Sequence, residues 1–579
     1  MIQTLDLLPL LPRPRRVRRE PGSFPFSGPV GEDIASLTPC ARNLPAQGYR
    51  LLIAPDGIRL EAADEAGAFY GRMTLRQLVR LCPHALPCGL IEDWPDIPIR
   101  GVMLDISRDK VPTLDTLFML VDRLAEWKVN HLQLYMEHTF AYRHHREVWA
   151  AADPLTAAEI RALDAYCRER FVELTPNQNS FGHMERWLKH PRYRPLAECP
   201  DGFTTAAGQW RADPTTLDPT QPASLELMAE LYAELLPNFS SRRFNIGCDE
   251  TWELGKGRSR PEVERLGLHR VYLEYLGKLK KLAVSQGRTP QYWGDMVWNR
   301  FPDRLDALDR EMVHVDWGYY RNYRFREHGE KLSVAGVPFW VAPGTSAWST
   351  LVGCNEAALG SNRTAARAAI EFGSEGILNT DWGDDIGHWQ HVSISFIGFA
   401  AGAAIGWCEA RNTDDAIRAA LDPFVFQDSA GVMGPVAWDL ADTWQTVGEN
   451  TTQAHMLDHI LRGGWTQKLP DNVTEATLRA TVARLDAAVA RLAEVRLQRP
   501  DAALMTAEFA DNARLARYAC RLGVALCRGE TGSAAVRREL ADDMHEMIAE
   551  RRRIWLARNR AGGLEDSLKK LTELARGPA

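Results

Sequence analysis

The run Phe244-Asn245-Ile246-Gly247-Cys248-Asp249-Glu250-Thr251 holds the densest potential chemistry in the chain. An apolar strand ends in a small residue and then presents two adjacent carboxylates. Carboxylates at the edge of a core cost free energy unless they are paired or used. The pair therefore reads either as a catalytic site or as the acidic first turn of the next helix, where the helix dipole would favour it.

Other apolar runs end in comparable residues. Ser107-Arg108-Asp109-Lys110 follows one, Glu137-His138 a second and Asn177 to His183 a third. Later runs end in Trp293-Gly294-Asp295, Asp316-Trp317, Pro343 to Trp348 and Asp381-Trp382-Gly383-Asp384-Asp385. A single tryptophan at such a place is a packing residue, but Trp293, Trp317, Trp348 and Trp382 recur together with Asp and Glu. Indole faces stack on the apolar faces of sugars, while carboxylates and arginine bind hydroxyls, so the set suits a carbohydrate. Metal chemistry fits less well. No His-x-His follows the first run, and the adjacent His144 and His145 would diverge and are expected at the surface. His183, beside Gly182, is placed to serve as a polar partner to an acid.

The elements that must position these groups are eight short runs alternating with amphipathic stretches. They are Gly101–Asp105, His131–Met136, Phe171–Leu174, Arg243–Cys248, Pro290–Trp293, Met312–Asp316, Val337–Ala342 and Gly376–Thr380. The pattern predicts an α/β fold, a parallel (β/α)8 TIM barrel over residues 96–430 with its chemistry at the C-terminal strand ends. A doubly wound sheet gives a similar string but would more often show a glycine-rich phosphate loop, and none is present. Residues 1–95 predict an N-terminal α/β accessory domain, with two strands about Asp56-Gly57 and a helix over Ala66–Leu81. Residues 431–579 predict a C-terminal helical domain, with helices over Ala476–Val495, Thr506–Cys527 and Ala535–Leu556. Their apolar stripes pack within the chain, or alternatively form a homodimer interface.

Composition bounds the function classes. The chain has 579 residues, 45% hydrophobic and 25% charged, with a net charge of −7, which gives no footprint for nucleic acid. The basic cluster Arg13 to Arg19 is short and broken by proline, and reads as a solvated strand flank. Leu7-Leu8-Pro9-Leu10-Leu11-Pro12 is a poor signal peptide and no run is long enough to span a membrane. The ten cysteines lack paired metal spacings and read as reduced thiols, so a cytoplasmic setting is expected.

Taken together, these residues resemble glycoside hydrolase family 20, the β-N-acetylhexosaminidases, over about residues 45 to 425. Tyr70-Gly71-Arg72-Met73-Thr74-Leu75-Arg76-Gln77-Leu78 looks like the end of that family's accessory domain. Arg100-Gly101-Val102-Met103-Leu104-Asp105-Ile106-Ser107-Arg108 looks like its first barrel strand, and Ile246 to Thr251 matches its catalytic motif. The resemblance implies that Glu250 is the general acid and that Asp249 orients the substrate's 2-acetamido group, whose carbonyl attacks the anomeric carbon. Two neighbouring carboxylates then suffice, with retention through an oxazoline-like intermediate. It further implies that Arg108 grips the outer hydroxyls of the terminal sugar and that His183 tunes the acid. Trp293, Trp317 and Trp382 would wall the acetamido pocket and the sugar face, and Asp384 would bind a hydroxyl.

Two departures stand out. Where the family commonly has Asp-Asp after the second strand, this chain has Met136-Glu137-His138, and Glu137 is assigned the acidic role. The tyrosine that usually binds the acetamido oxygen after the seventh strand has no counterpart in Gly344 to Trp348, where Trp348 helps fill the pocket. The Arg-rich turn Trp555 to Leu564 reads as a helix C-cap, with closure of the barrel mouth as the alternative. The expected function is an exo-acting β-N-acetylhexosaminidase on an N-acetylhexosamine-containing glycoside, needing no cofactor or metal. The alternative is a carbohydrate-binding or sensory barrel without catalysis.

Overall fold

A computed structural model describes residues 5–26, 35–38, 43–205, 208–383, 387–448 and 454–577. The N-terminal sheet is built from β1 (Arg16–Pro25), β2 (Ala35–Thr38), β3 (Tyr49–Ala54), β4 (Gly57–Ala62) and β5 (Ala85–Asp93), in the order β1-β5-β3-β4-β2. β3 and β4 form an antiparallel hairpin that pairs Ala54 with Gly57, as the Asp-Gly turn requires. The helix Glu65–Leu81 follows, with Asp64 as its N-cap accepting from Gly67 N. It buries Tyr70, Leu75 and Leu78 within the apolar core.

Asp93, at the end of β5, ties this unit to the barrel floor. It accepts from Tyr49 Oη at 2.7 Å, Lys128 Nζ at 2.9 Å and Trp407 Nε1 at 2.9 Å. A buried carboxylate with that many donors is a satisfied joint rather than a site.

The barrel comprises β6 (Ile99–Asp105), β7 (His131–Met136), β8 (Glu173–Gln178), then, after a two-strand hairpin β9 (Phe203–Thr204) and β10 (Trp210–Arg211), β11 (Arg243–Asn245), β12 (Thr289–Trp293), β13 (Val313–Trp317), β14 (Phe339–Ala342) and β15 (Gly376–Asp381). The eight strands close in the order β11-β12-β13-β14-β15-β6-β7-β8, all parallel. Strands buried on both faces read as apolar runs, which is why the eight were visible in sequence.

Two of them depart from the expected bounds by more than two residues. β8 runs on to Gln178, because its polar residues find partners inside the barrel: Asn177 Nδ2 donates to Gln133 Oε1 at 3.0 Å, and Gln133 Nε2 to Gln291 Oε1 at 2.9 Å. β11 stops at Asn245 rather than at Cys248, because Gly247 (φ 70°) and Cys248 (φ 71°) turn out of the extended conformation.

The C-terminal part is helical, with long helices at Glu475–Arg491, Ala502–Arg528 and Ala534–Arg558, and a further helix at Leu564–Arg576. The turn after Arg558 is more than a helix cap. Thr113 N donates to Arg558 O at 2.9 Å and Arg560 N to Val111 O at 2.8 Å, so this turn docks on the loop that follows β6. Beside it, Asp511 joins His391 at 2.7 Å and Arg551 at 2.6 Å. The loop after β15 is thereby tied to the same helices.

Candidate active site

The backbone after β11 determines where the two carboxylates point. Gly247 has φ 70°, and a Cβ there would lie 1.7 Å from Asn179 Oδ1, so only glycine fits. Cys248 (φ 71°) and Glu250 (φ 49°) are also left-handed, although both carry side chains. Such residues cost on the order of 1–3 kcal/mol each and persist only where the surroundings over-determine them. Tyr272 Oη donates to Cys248 O at 2.9 Å, and Glu250 N donates to Asp295 Oδ2 at 3.0 Å. No helix begins until Arg260, which rules out the helix-start reading of Asp249-Glu250.

The alternating conformation splits the pair. The Asp249 side chain is 9% exposed and turned inward, whereas that of Glu250 is 38% exposed and faces the cavity. His183, itself at φ 53°, stands between them with Nε2 3.3 Å from both Asp249 Oδ2 and Glu250 Oε2. Burial disfavours charge on the ring, but the two carboxylates prevail and hold its pKa well above the usual 6.5. On the other side, Nδ1 faces Glu137 Oε1 at 3.8 Å and Arg108 Nη2 at 3.4 Å.

Glu137 is the member of Met136-Glu137-His138 that enters this cluster. It lies 3.5 Å from Arg108 Nη2 and accepts from Tyr135 Oη at 3.0 Å. Burial raises its pKa, against Arg108 and His183. Arg108 is held in turn by Asp105, 3.2 Å from its Nη1.

An aromatic cage backs the inward carboxylate. The Trp293 ring centroid is 5.8 Å from that of Trp382, and Trp317 stacks on Tyr319 at 5.2 Å with 18° between planes. Trp382 Nε1 donates to Tyr319 Oη at 2.8 Å. Trp348 joins this group through Tyr319. It meets Tyr319 edge-on at 5.1 Å and is buried.

Tyr319, two residues beyond Trp317, thus brings a phenol into this cage, where Gly344 to Trp348 offers none. The signal lies in Trp317-Gly318-Tyr319, just past the apolar run that marks the strand. Asp295 was likewise passed over. Burial, and then the neighbouring Asp249 and Glu250, push its pKa well above the usual carboxyl value, and its Oδ1 has no hydrogen-bond partner among the described residues.

Asp384, expected to bind a hydroxyl, lies outside the described residues. His145 is not a surface residue. Of the adjacent histidines only His144 is exposed, while His145 is buried with Nδ1 2.7 Å from Tyr193 Oη. Among the described residues, no group of three or more His, Cys, Asp or Glu is disposed to hold a metal ion.

Above these residues lies a cavity of about 930 Å³. Arg108, Glu137, His183 and Glu250 form its floor, and side chains from the β9–β10 hairpin and the helix Leu564–Arg576 form its walls. The arrangement provides a carboxyl facing open space, a second carboxyl against an aromatic cage, and a protonatable imidazole within reach of both. That is acid–base chemistry on a bulky polar substrate.

The likeness to known proteins agrees. A β-hexosaminidase of Akkermansia muciniphila is 27% identical over 280 residues, covering 43% of this chain and 56% of that protein. Human hexosaminidase D is 27% identical over 231 residues, covering 38% and 45%. The chain thus spans about half the length of these curated relatives. Among solved structures, a β-N-acetylhexosaminidase superposes with a TM-score of 0.59 at 20% identity, over 72% of this chain and 96% of that one. An exo-β-N-acetylglucosaminidase of Vibrio harveyi in complex with N-acetylglucosamine gives 0.59 at 17%, over 73% and 79%. At these identities the structures speak for the fold alone. Residues 98–348 match the catalytic domain of glycosyl hydrolase family 20 and residues 25–94 match domain 2 of the same family, and the chain belongs to glycoside hydrolase family 20.

Proposed function

We propose that the protein is an exo-acting, retaining β-N-acetylhexosaminidase that removes terminal β-linked GlcNAc or GalNAc. The observation that carries this reading is the division of Asp249 and Glu250. One is turned toward an aromatic cage and the other toward an open cavity, with His183 Nε2 3.3 Å from each.

In this mechanism the terminal sugar enters with its outer hydroxyls on Arg108 and its 2-acetamido group in the cage of Trp293, Trp317, Tyr319 and Trp382. Asp249 accepts the amide N–H, and its Oδ1, which has no hydrogen-bond partner among the described residues, is available for this. The amide oxygen then attacks the anomeric carbon while Glu250 gives its proton to the departing oxygen. The C–O bond to the leaving group breaks as the new C–O bond forms, giving an oxazoline-like intermediate. Water opens that ring with Glu250 as base, and the configuration is retained. The proton taken from that water returns Glu250 to its acid form, while His183, between the two carboxylates, positions them. The relatives' names support the substrate class, and the Asp249–Glu250 pair speaks against a barrel that binds sugar without turning it over.

The test is hydrolysis of an aryl β-N-acetylglucosaminide by wild type, Glu250→Gln and Asp249→Asn. Loss of general-acid function is expected to lower kcat by about 10²–10⁴-fold. Absence of turnover by the wild type, or undiminished turnover by Glu250→Gln, would refute the proposal.

A further inference from the structure

The 930 Å³ cavity is larger than one terminal sugar needs, near the upper end of the range of about 300–1,000 Å³ over which ligand sites usually fall. The aromatic cage that would receive the acetamido group is not among its lining residues. The cavity therefore takes in the outer-hydroxyl side of the terminal sugar, at Arg108 and Glu137, and beyond it further space beside Glu250 and Trp252, where a leaving group departs.

Three observations describe that space. First, Trp252 lines it two residues after Glu250, with a large side chain left 36% exposed. An indole at the mouth of a sugar site is a stacking face rather than a core residue. Second, the wall opposite the β9–β10 hairpin comes from the helix Leu564–Arg576, through Lys569, Lys570 and Glu573. This helix lies outside the residues matched to the family. Third, the helix is fixed over the barrel mouth. Arg186 donates to Asp109 at 2.8 Å and reaches Asp566 at 3.3 Å. Gly563 (φ 76°) packs so closely that a Cβ there would lie 1.9 Å from Asp109 O. Ser567 Oγ accepts from His388 N at 3.0 Å, and Ser567 O accepts from Trp389 Nε1 at 3.0 Å. The wall is thus tied to the loops after β6, β8 and β15.

The charges facing the cavity are mixed in sign, with carboxylates and cations in similar number. A lining of that kind suits neither a polyanion nor a polycation. It suits an array of hydroxyls, which donate to carboxylates and accept from Lys and Arg.

We infer that Trp252 and the C-terminal helix form a leaving-group subsite for the second sugar of a β-linked N-acetylhexosamine oligosaccharide. This rests on the glycosidase reading above. The sugar stacks on Trp252 while Lys569 and Glu573 take its hydroxyls, and the preferred substrate is an oligosaccharide rather than a simple glycoside.

The experiment compares kcat/KM for a β-1,4-linked N-acetylglucosamine trimer with that for an aryl β-N-acetylglucosaminide. The proteins are wild type, Trp252→Ala, Trp252→Phe and the double variant Lys569→Ala/Glu573→Ala. Trp252→Ala is expected to lower the trimer-to-aryl ratio by about tenfold, the value of one aromatic stack, with Trp252→Phe restoring most of it. The double variant, on an exposed helix face, should lower the same ratio by a smaller factor. Wild type that cleaves the aryl glycoside but not the trimer overturns the subsite, as do ratios unchanged within about twofold in both Trp252→Ala and the double variant. Wild type inactive on the aryl glycoside overturns the glycosidase reading itself, and this inference with it.

Discussion

Gly182→Ala tests whether the relative placement of His183, Asp249 and Glu250 matters as argued. Gly182 lies in the loop after β8, and a Cβ there would stand 2.1 Å from the Asp249 carbonyl oxygen, against the 3.4 Å at which ordinary contact begins. The obstacle is backbone, so no rotamer change relieves it. The two strand exits must part by about 1.3 Å, or His183 and the carboxylate pair must rotate away from each other. A displacement near 1 Å at reacting groups costs about 10²-fold in rate, or about 2.7 kcal/mol of transition-state stabilisation. The overpacking itself should cost about 1–3 kcal/mol of stability. The assay is kcat/KM on the aryl glycoside together with thermal unfolding. Gly277→Ala serves as the control, because it sits on the outer helix Leu268–Ser285 with nothing within 4 Å of its added Cβ. That change should leave activity intact and stabilise by up to about 1 kcal/mol. Gly182→Ala with kcat/KM within about threefold of wild type would show that the spacing of these loops is not what sets the chemistry.

Further expectations follow from the same geometry. His183→Gln removes the proton held between Asp249 and Glu250, so kcat should fall by about 10²-fold. Because the His183 pKa is raised, its proton is lost only as pH climbs through that raised value. The alkaline limb of the wild-type pH–rate profile should therefore change in the variant, and an identical limb would count against the assignment. Tyr319→Phe deletes the acceptor of Trp382 Nε1. The orphaned indole N–H and the lost acetamido contact should together cost about 1–3 kcal/mol, seen as a fall of roughly tenfold or more in kcat/KM; unchanged kinetics would exclude the phenol from the pocket. Glu253 is buried, and desolvation pushes its carboxyl up to about 7 from the usual 4.5, against hydrogen bonds from Thr215. A raised folded-state value means stability that is full below pH 4.5 and is lost as pH rises through 7. Relative to Glu253→Gln, the wild type should lose up to about 3 kcal/mol across that window. Urea midpoints at pH 5 and pH 8 measure it, and a constant difference between the two proteins would contradict the burial argument.

The parts of the fold that were legible are those with a one-dimensional signature. Strands buried on both faces leave apolar runs, and all eight barrel strands were found that way. The helix Glu65–Leu81 showed its 3.6-residue period and differs from the expected Ala66–Leu81 by one residue. What was missed depends on pairing across the barrel. The polar end of β8 looks like loop until Asn177 is seen to donate to Gln133. The role of the helix Leu564–Arg576 depends on a contact between Arg186 and Asp566 that spans 380 residues of chain. Tyr319 reaches the cage only because Trp317-Gly318-Tyr319 turns back on itself, which brings the tyrosine flat against its neighbour two residues away.

Backbone strain was the least visible feature, and it is the one that separates the roles of the two acids. Nothing in Cys248 or Glu250 as residue types suggests positive φ, since side chains there clash with the backbone. Yet left-handed non-glycine residues recur at the C-terminal strand ends: Asp109 after β6, His183 after β8, Cys248 and Glu250 after β11, and Ser346 after β14. A continued strand would send Asp249 and Glu250 to opposite faces of the sheet, one into the barrel and one into the helical layer. The left-handed turns instead keep both at the mouth while aiming them apart, inward for Asp249 and outward for Glu250. Adjacent carboxylates in a regular element could not both reach one substrate. In the proposed mechanism the strain is therefore the means by which two neighbours in sequence would act on different atoms of the same sugar, and the barrel and docked helices supply the rigidity that holds it.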